Sequence, residues 1–255
     1  MVELLKLRST EPIMLNMRML RKTCVLLALL CFAGTAAADE TSVRKAVQDK
    51  FPQSKIESVT KTPYFGLYEV YIDKELFYTD DKLDYFILGS IYDGKTLENL
   101  SAERMRKLNA IKFDSLPLDM AIKIVKGNGK RKLAIFSDPL CPFCQRLEHS
   151  MTNVTDVTIY TFLYPIESLH PGATQKAKAI WCSQDRVKAW NDFMLKRVGP
   201  DAQPNCDTPV EKIVEYGQSK GFKGTPTLIF ADGEVIPGAV PAAQLEQMLN
   251  HFSAD

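Results

Sequence analysis

The chain has 255 residues, 45% of them hydrophobic and 25% charged, an ordinary globular balance with length for one large domain or two modest ones. Its 32 basic and 31 acidic residues leave a formal charge of +1. That balance carries no basic stripe or patch of the kind nucleic-acid binding needs, so no nucleic-acid partner is expected.

Residues 1–38 differ from the rest. Arg18, Arg21 and Lys22 form a positive cluster, Val25 to Ala33 is an apolar run, and Ala36-Ala37-Ala38 offers small residues for a cleavage site. That order predicts a secretory signal peptide removed after Ala38. The apolar run is shorter than the ~18–20 residues a membrane-spanning helix needs. The stretch before Met17 is long for such a leader, which leaves Met14, Met17 and Met19 as alternative starts. Leu30 stands where lipid attachment at Cys31 would want a small residue, so Cys24 and Cys31 leave with the signal. The leader holds five basic and two acidic residues, and the remainder stays near neutral at −2. Four cysteines are left: Cys141, Cys144, Cys182 and Cys206. An even count in an exported protein favours disulfides.

Beyond the leader, Thr41 to Gln48 reads as a short amphipathic helix ended by Phe51-Pro52. Leu67–Ile72, Glu75–Thr79 and Tyr85–Tyr92 are rich in aromatic and β-branched residues and predict strands, with Asp80-Asp81 and Asp93-Gly94 as turns. A β unit of about 60 residues buries little surface and commonly needs a partner or a second copy. Ser101 to Ala110 predicts a linker helix running on towards Phe113, with Ser101 as N-cap and Glu103 in the first turn. Asp119 to Val125 looks helical and Gly127-Asn128-Gly129 ends it. Lys132–Phe136 is a strand, the Cys141–Cys144 segment opens a helix through about Met151, and Val157–Phe162 is a further strand. Strand, helix, strand is a βαβ unit with parallel pairing. Helical stretches follow near Gly172–Ser183, Arg186–Leu195 and Pro209–Ser219. Thr227–Phe230 and Glu234–Ile236 flank the Asp232-Gly233 turn as a hairpin, and Ala242 to His251 is a final helix.

The chemistry centres on Cys141-Pro142-Phe143-Cys144. A Cys-x-x-Cys just after a buried strand in a βαβ pattern is the thioredoxin-type redox arrangement. Residues i and i+3 share one helix face, so the two sulfurs can meet across a tight turn. Cys141 would sit at the helix N-terminus, where unpaired N–H groups and the macrodipole favour a thiolate. Pro142 suits the first turn because it has no N–H to leave unpaired. Lowering the Cys141 pKa from ~8.5 to ~5.5 raises the thiolate fraction at pH 7 about 30-fold, while nucleophilicity falls roughly 15- to 30-fold. The larger gain is therefore a better leaving group, which suits reversible shuffling.

Other readings of the cysteines are poorer. A c-type haem site wants His after the second Cys, and Gln145 stands there. A four-cysteine zinc site pairs two tight knuckles, whereas Cys182 and Cys206 lie far apart, so no metal is expected. A purely structural Cys141–Cys144 bridge closes too short a loop to stabilise much. His149 reads as a surface residue. Cys182, beside Trp181, and Cys206, in a loop, are expected to form a bridge worth roughly 3 kcal/mol; the alternative is two unpaired buried thiols. Gly224-Thr225-Pro226-Thr227 is either an ordinary strand start or, placed downstream of a Cys-x-x-Cys and before a terminal hairpin and helix, a cis-Pro loop beside the reactive pair.

Phe136-Ser137-Asp138-Pro139-Leu140 leading into the Cys pair, Lys178–Cys182, and Gly224–Thr227 followed by Val235–Gly238 resemble the periplasmic disulfide isomerases of the DsbC/DsbG type. The resemblance covers essentially all of the chain after the leader. It implies an α+β protein: an N-terminal dimerisation domain over 39–100, a linker helix over 101–115, and a thioredoxin-like catalytic domain with a helical insertion over 116–255. It further implies a V-shaped periplasmic homodimer with a cleft for misfolded disulfide-containing exported proteins, kept reduced by a DsbD-type membrane thiol reductase. Cys141 maps to the attacking cysteine, Cys144 to the resolving one, Pro226 to the cis-Pro, and Cys182–Cys206 to the second disulfide. No cofactor is implied. The Pro142-Phe143 dipeptide is closer to the DsbG pattern than to the Gly-Tyr of the best-known isomerase. No His stands between the cysteines, and that together with the front unit argues against a dithiol oxidase. A holdase chaperone with secondary redox activity is the rival from another class.

Overall fold

The structure, a computed structural model, describes residues 39–253. The expected signal peptide, with Cys24 and Cys31, lies outside them. The described residues divide into two compact units, one ending at Leu88 and the other beginning at Gly89. Among the described residues no helix is long and apolar enough to cross a membrane.

In the first unit, helix α1 (Glu40–Lys50) begins where the Asp39 carboxylate accepts the Ser42 N–H at 2.7 Å. Val43 and Val47, one turn apart, bury one face of α1. They share a core with residues of an antiparallel sheet ordered β1 (Ile56–Lys61), β2 (Tyr68–Ile72), β3 (Glu75–Thr79) and β4 (Phe86–Ile87). Phe51, Phe77 and Phe86 pack edge to face or tilted in that core. The strand expected over Tyr85–Tyr92 is only two residues long. Its ladder with β3 ends at Tyr78↔Ile87, and the Tyr85 carbonyl is taken by the Thr79 hydroxyl at 2.8 Å.

The second unit opens with a bridge between Tyr92 and Asn99 that leads into α2 (Leu100–Asn109). Asn99, not Ser101, caps this helix, accepting the Ala102 N–H at 2.9 Å. Ser101 lies in the first turn, and its hydroxyl accepts the Ile91 N–H at 2.8 Å instead. Ile91 and Tyr92 are thus tied to the start of α2. The helix stops at Asn109, because Ile111 N–H bonds across to the Gly233 carbonyl at 2.9 Å; Phe113–Ser115 is a separate 3-10 turn.

The helix expected over Asp119–Val125 is not formed. Leu118–Met120 is a single 3-10 turn, and β5 (Ile122–Lys126) is a strand paired antiparallel with β7 (Val157–Leu163). Ile122 and Ile124 alternate inward while Val125 is exposed, a period of two that the short window left ambiguous. Gly127, at φ +57°, turns the chain where a Cβ would meet the Asp156 side chain at 2.3 Å.

The sheet of the second unit has the order β5-β7-β6-β8-β9, with β6 (Arg131–Ser137), β8 (Thr227–Phe230) and β9 (Val235–Pro237). Strands β6 and β7 are parallel; the other pairs are antiparallel. Leu133 and Ile135 of β6 face α3 (Pro142–Ser150) and α7 (Ala242–His251), where Leu147 and Leu245 bury. Ala134 and Phe136 face the other layer, with Phe113, Phe162 and Ile213 of α6 (Val210–Ser219). Helices α4 (Ala173–Cys182), α5 (Arg186–Lys196) and α6 are inserted between β7 and β8. This is the α+β architecture with a thioredoxin-like sheet.

Candidate active site

Strand β6 ends at Ser137, and the next residues deliver the cysteine pair. Cys141 is the N-cap of α3, with an extended backbone at φ −73° and ψ 122°, and Pro142 is the first helical residue. The Cys141 N–H donates to the Asp138 carbonyl at 3.2 Å, and the Cys141 carbonyl accepts the Gln145 N–H at 3.2 Å. Cys144 lies one turn into the helix, fully buried. Neither sulfur is in a disulfide. Cys141 is covered too, at 3% exposure, while Phe143 beside it is half exposed and carries the Arg146 guanidinium over its ring at 4.5 Å.

Thr225 and Pro226 come to the same place from the far side of the insertion. The Thr225–Pro226 peptide bond is cis. When protonated, the Cys141 thiol donates to the Thr225 carbonyl oxygen, which lies 3.4 Å from the sulfur. Behind this loop, the Tyr164 hydroxyl donates to the Phe222 carbonyl at 3.0 Å, fixing the chain three residues before Thr225.

The electrostatics of the two thiols diverge. Cys141 is drawn down to about 5, chiefly by the hydrogen bond from the Cys144 side chain, against a penalty from burial. Thr225 and the N–H groups of Cys144 and Phe143 lower it further. Those N–H groups are the unpaired donors of the helix start. Cys144 is pushed up by its burial first, and then by Cys141. One sulfur is thus a thiolate at neutral pH and the other a thiol.

Residues that the sequence reading gave no role surround the pair. Asp138 is completely buried. One carboxylate oxygen accepts the Leu140 N–H at 2.8 Å; the other accepts the Ile166 N–H at 2.8 Å and pairs with His170 Nδ1 at 2.9 Å. The Asp138 N–H itself donates to Cys144 Sγ at 3.3 Å. Glu148, one turn beyond Cys144 on α3, is buried against Trp190, whose Nε1–H donates to it at 3.0 Å. Buried acids beside a Cys-x-x-Cys are a signal a reader of the sequence could seek, but their partners are far along the chain. Away from the pair, Cys182 at the end of α4 is bonded to Cys206, with Cα atoms 5.7 Å apart.

Comparison with known proteins gives the family. A thioredoxin-like domain model matches residues 118–253, and a model of the disulfide bond isomerase protein N-terminal domain matches residues 34–102. The probable thiol:disulfide interchange protein DsbC of Bordetella avium is 43% identical over 208 residues, 82% of this chain and 74% of that protein. The chain belongs to the DsbC family. Its Escherichia coli relative, the thiol:disulfide interchange protein DsbC, is 26% identical over 239 residues, 91% of this chain and 96% of that one. Among solved structures, a disulfide interchange protein from Neisseria gonorrhoeae is 48% identical with a TM-score of 0.53, covering 55% of this chain and all of that chain. This DsbC-family protein is accordingly a thiol:disulfide oxidoreductase and disulfide isomerase.

Proposed function

We propose that Cys141 is the attacking sulfur and Cys144 the resolving one. The observation that carries this reading is the position of Cys141 at the N-terminus of α3 with its sulfur against the Thr225 carbonyl. A thiolate there attacks a client disulfide, and a mixed disulfide with Cys141 forms as a client thiolate leaves. The client backbone lies along Thr225 as an added strand. A second client thiol then displaces Cys141, completing isomerisation, or Cys144 displaces the client, completing reduction. The Cys182–Cys206 bridge is structural and takes no part.

The protein works in the periplasm on misfolded exported proteins, after removal of residues 1–38, and a DsbD-type membrane reductase returns Cys141 and Cys144 to thiols. Residues 39–100 join two copies, residues 101–115 link, and residues 116–255 carry the exchange chemistry. Pairing is supported by β4, an edge strand whose Ile87 is exposed and which is flanked by exposed Tyr85 and Leu88.

Refolding of a scrambled multi-disulfide substrate, set beside oxidation of the same substrate fully reduced, tests the reading. The native protein should accelerate the first far more than the second. Cys141→Ser should abolish the acceleration, and Cys144→Ser should keep part of it. Acceleration that survives Cys141→Ser would favour a holdase over an exchange mechanism.

A further inference from the structure

Resolution by Cys144 poses a problem that its surroundings define. The sulfur is fully buried, and burial opposes its ionisation. Yet Cys144 must lose a proton before it can attack Cys141 Sγ. Donors that hold the sulfur as charge develops are what such a step requires. One is visible at once, the Asp138 N–H at 3.3 Å.

The second follows from register. Along β6, side chains alternate, so Leu133, Ile135 and Ser137 point to one face. Leu133 and Ile135 pack with Leu147 and Met151 of the α3 segment. Cys144, Leu147 and Met151 stand at i, i+3 and i+7, on one face of that helix. Ser137 continues the strand row by two residues, and Cys144 continues the helix row by one turn, so the two meet at the open end of this layer. The Ser137 hydroxyl is buried and makes no hydrogen bond of ordinary geometry in the dithiol form. A buried hydroxyl without a partner is costly and needs a reason. Its interaction with the Cys144 side chain eases ionisation of that thiol.

We propose that Ser137 is a further catalytic residue, whose hydroxyl, together with the Asp138 N–H, donates to Cys144 Sγ as it becomes a thiolate and attacks the mixed disulfide. This rests on the resolving role of Cys144. In the step, the Cys144–Cys141 bond forms and the Cys141–client bond breaks. The client sulfur leaves as a thiolate and takes up the proton that Cys144 gave to solvent. The cysteine pair is oxidised by two electrons and the client disulfide is reduced. Isomerisation needs no charge on Cys144, because a client thiol does the displacing. Ser137 therefore sets the partition between reduction and shuffling.

Single-turnover release from a symmetric fluorescent peptide disulfide tests this with the full chain. The first peptide leaves when Cys141 attacks, and the second when Cys144 resolves. Ser137→Ala should slow the second phase about tenfold at pH 7, the lower end for a hydrogen bond to a charged group, and move its pH profile upward. Ser137→Thr should restore rate and profile, and Ser137→Val, of the same shape without the hydroxyl, should not. Native rate and pH profile in both the Ala and the Val variants would overturn the proposal. Cys144→Ser is the separate control: loss of its second phase upholds the resolving role, and a second phase at native rate would overturn that role itself.

Discussion

A buried acid shares the face of α3 that carries Cys144. Glu148 is pushed up from the usual 4.5 to about 7 by its burial, against the Trp190 hydrogen bond and the Lys126 charge. Lys126 in turn is held below its ordinary value by burial, with Glu148 opposing. The unfolded chain releases the Glu148 proton near 4.5, and the folded protein keeps it to about 7. Folding therefore binds a proton across that window, and stability falls as pH rises through it. The loss is on the order of 3 kcal/mol, complete above about pH 7. Glu148→Gln keeps an acceptor for Trp190 and has no charge to bury. Denaturant titrations from about pH 4.5 to 8 should show the native protein losing about that much relative to the variant; parallel curves would count against it. Cys141 runs the opposite way, held below its ordinary value. At a pKa of about 5, Cys141 is already largely ionised by the pH near 7 at which Glu148 titrates in the folded protein, so exchange should not follow the Glu148 transition.

At the scale of elements, the loop bearing Thr225 depends on a helix one layer behind it. Gly217 sits within α6, where Ala would ordinarily stabilise by roughly 0.5–1 kcal/mol. Here an added Cβ would meet the Tyr164 ring at 2.5 Å. Tyr164 holds the Phe222 carbonyl, so displacing it loosens the approach to Thr225. Gly217→Ala should destabilise by about 1–3 kcal/mol and lower exchange activity together, measured by thermal unfolding and insulin reduction; a stabilised variant would refute the contact. What could be read from sequence divides along the same line. Cys141, Cys144 and the Thr225-Pro226 loop announce themselves through local chemistry: helix-start proline, i,i+3 spacing, a Pro before a hairpin. The final helix is bounded as its periodicity predicts, from Ala242 to His251. Strand β5 was not legible, because five residues with two inward isoleucines fit either period until β7 supplies the partner. The α2 cap went to Asn99 because Ser101 found a tertiary donor in Ile91. His170 and Trp190 carry no local signature, and although Ser137 and Asp138 stand in the segment leading into the cysteines, what they do lies in contacts that sequence spacing does not show.

For the whole molecule, two copies are required if the exposed apolar edge of the first unit is to be covered. Tyr85 and Leu88 are 72% and 80% exposed on either side of β4, a poor state for an isolated chain in water. Light scattering of the protein lacking residues 1–38 should give a dimer mass at micromolar concentration, and Leu88→Lys should shift it towards the monomer. A native protein that is monomeric there would remove the pairing. The central claim, that clients are attacked by Cys141 and by no other cysteine, is tested most directly by trapping. The Cys144→Ser protein is incubated with a disulfide-bonded client, quenched with acid, and the adduct is mapped by mass spectrometry. The client should be found joined to Cys141, with Cys182 and Cys206 still bonded to each other. A client joined to Cys182 or Cys206 with Cys141 free, or an equal yield of adduct from Cys141→Ser through Cys144, would contradict the account.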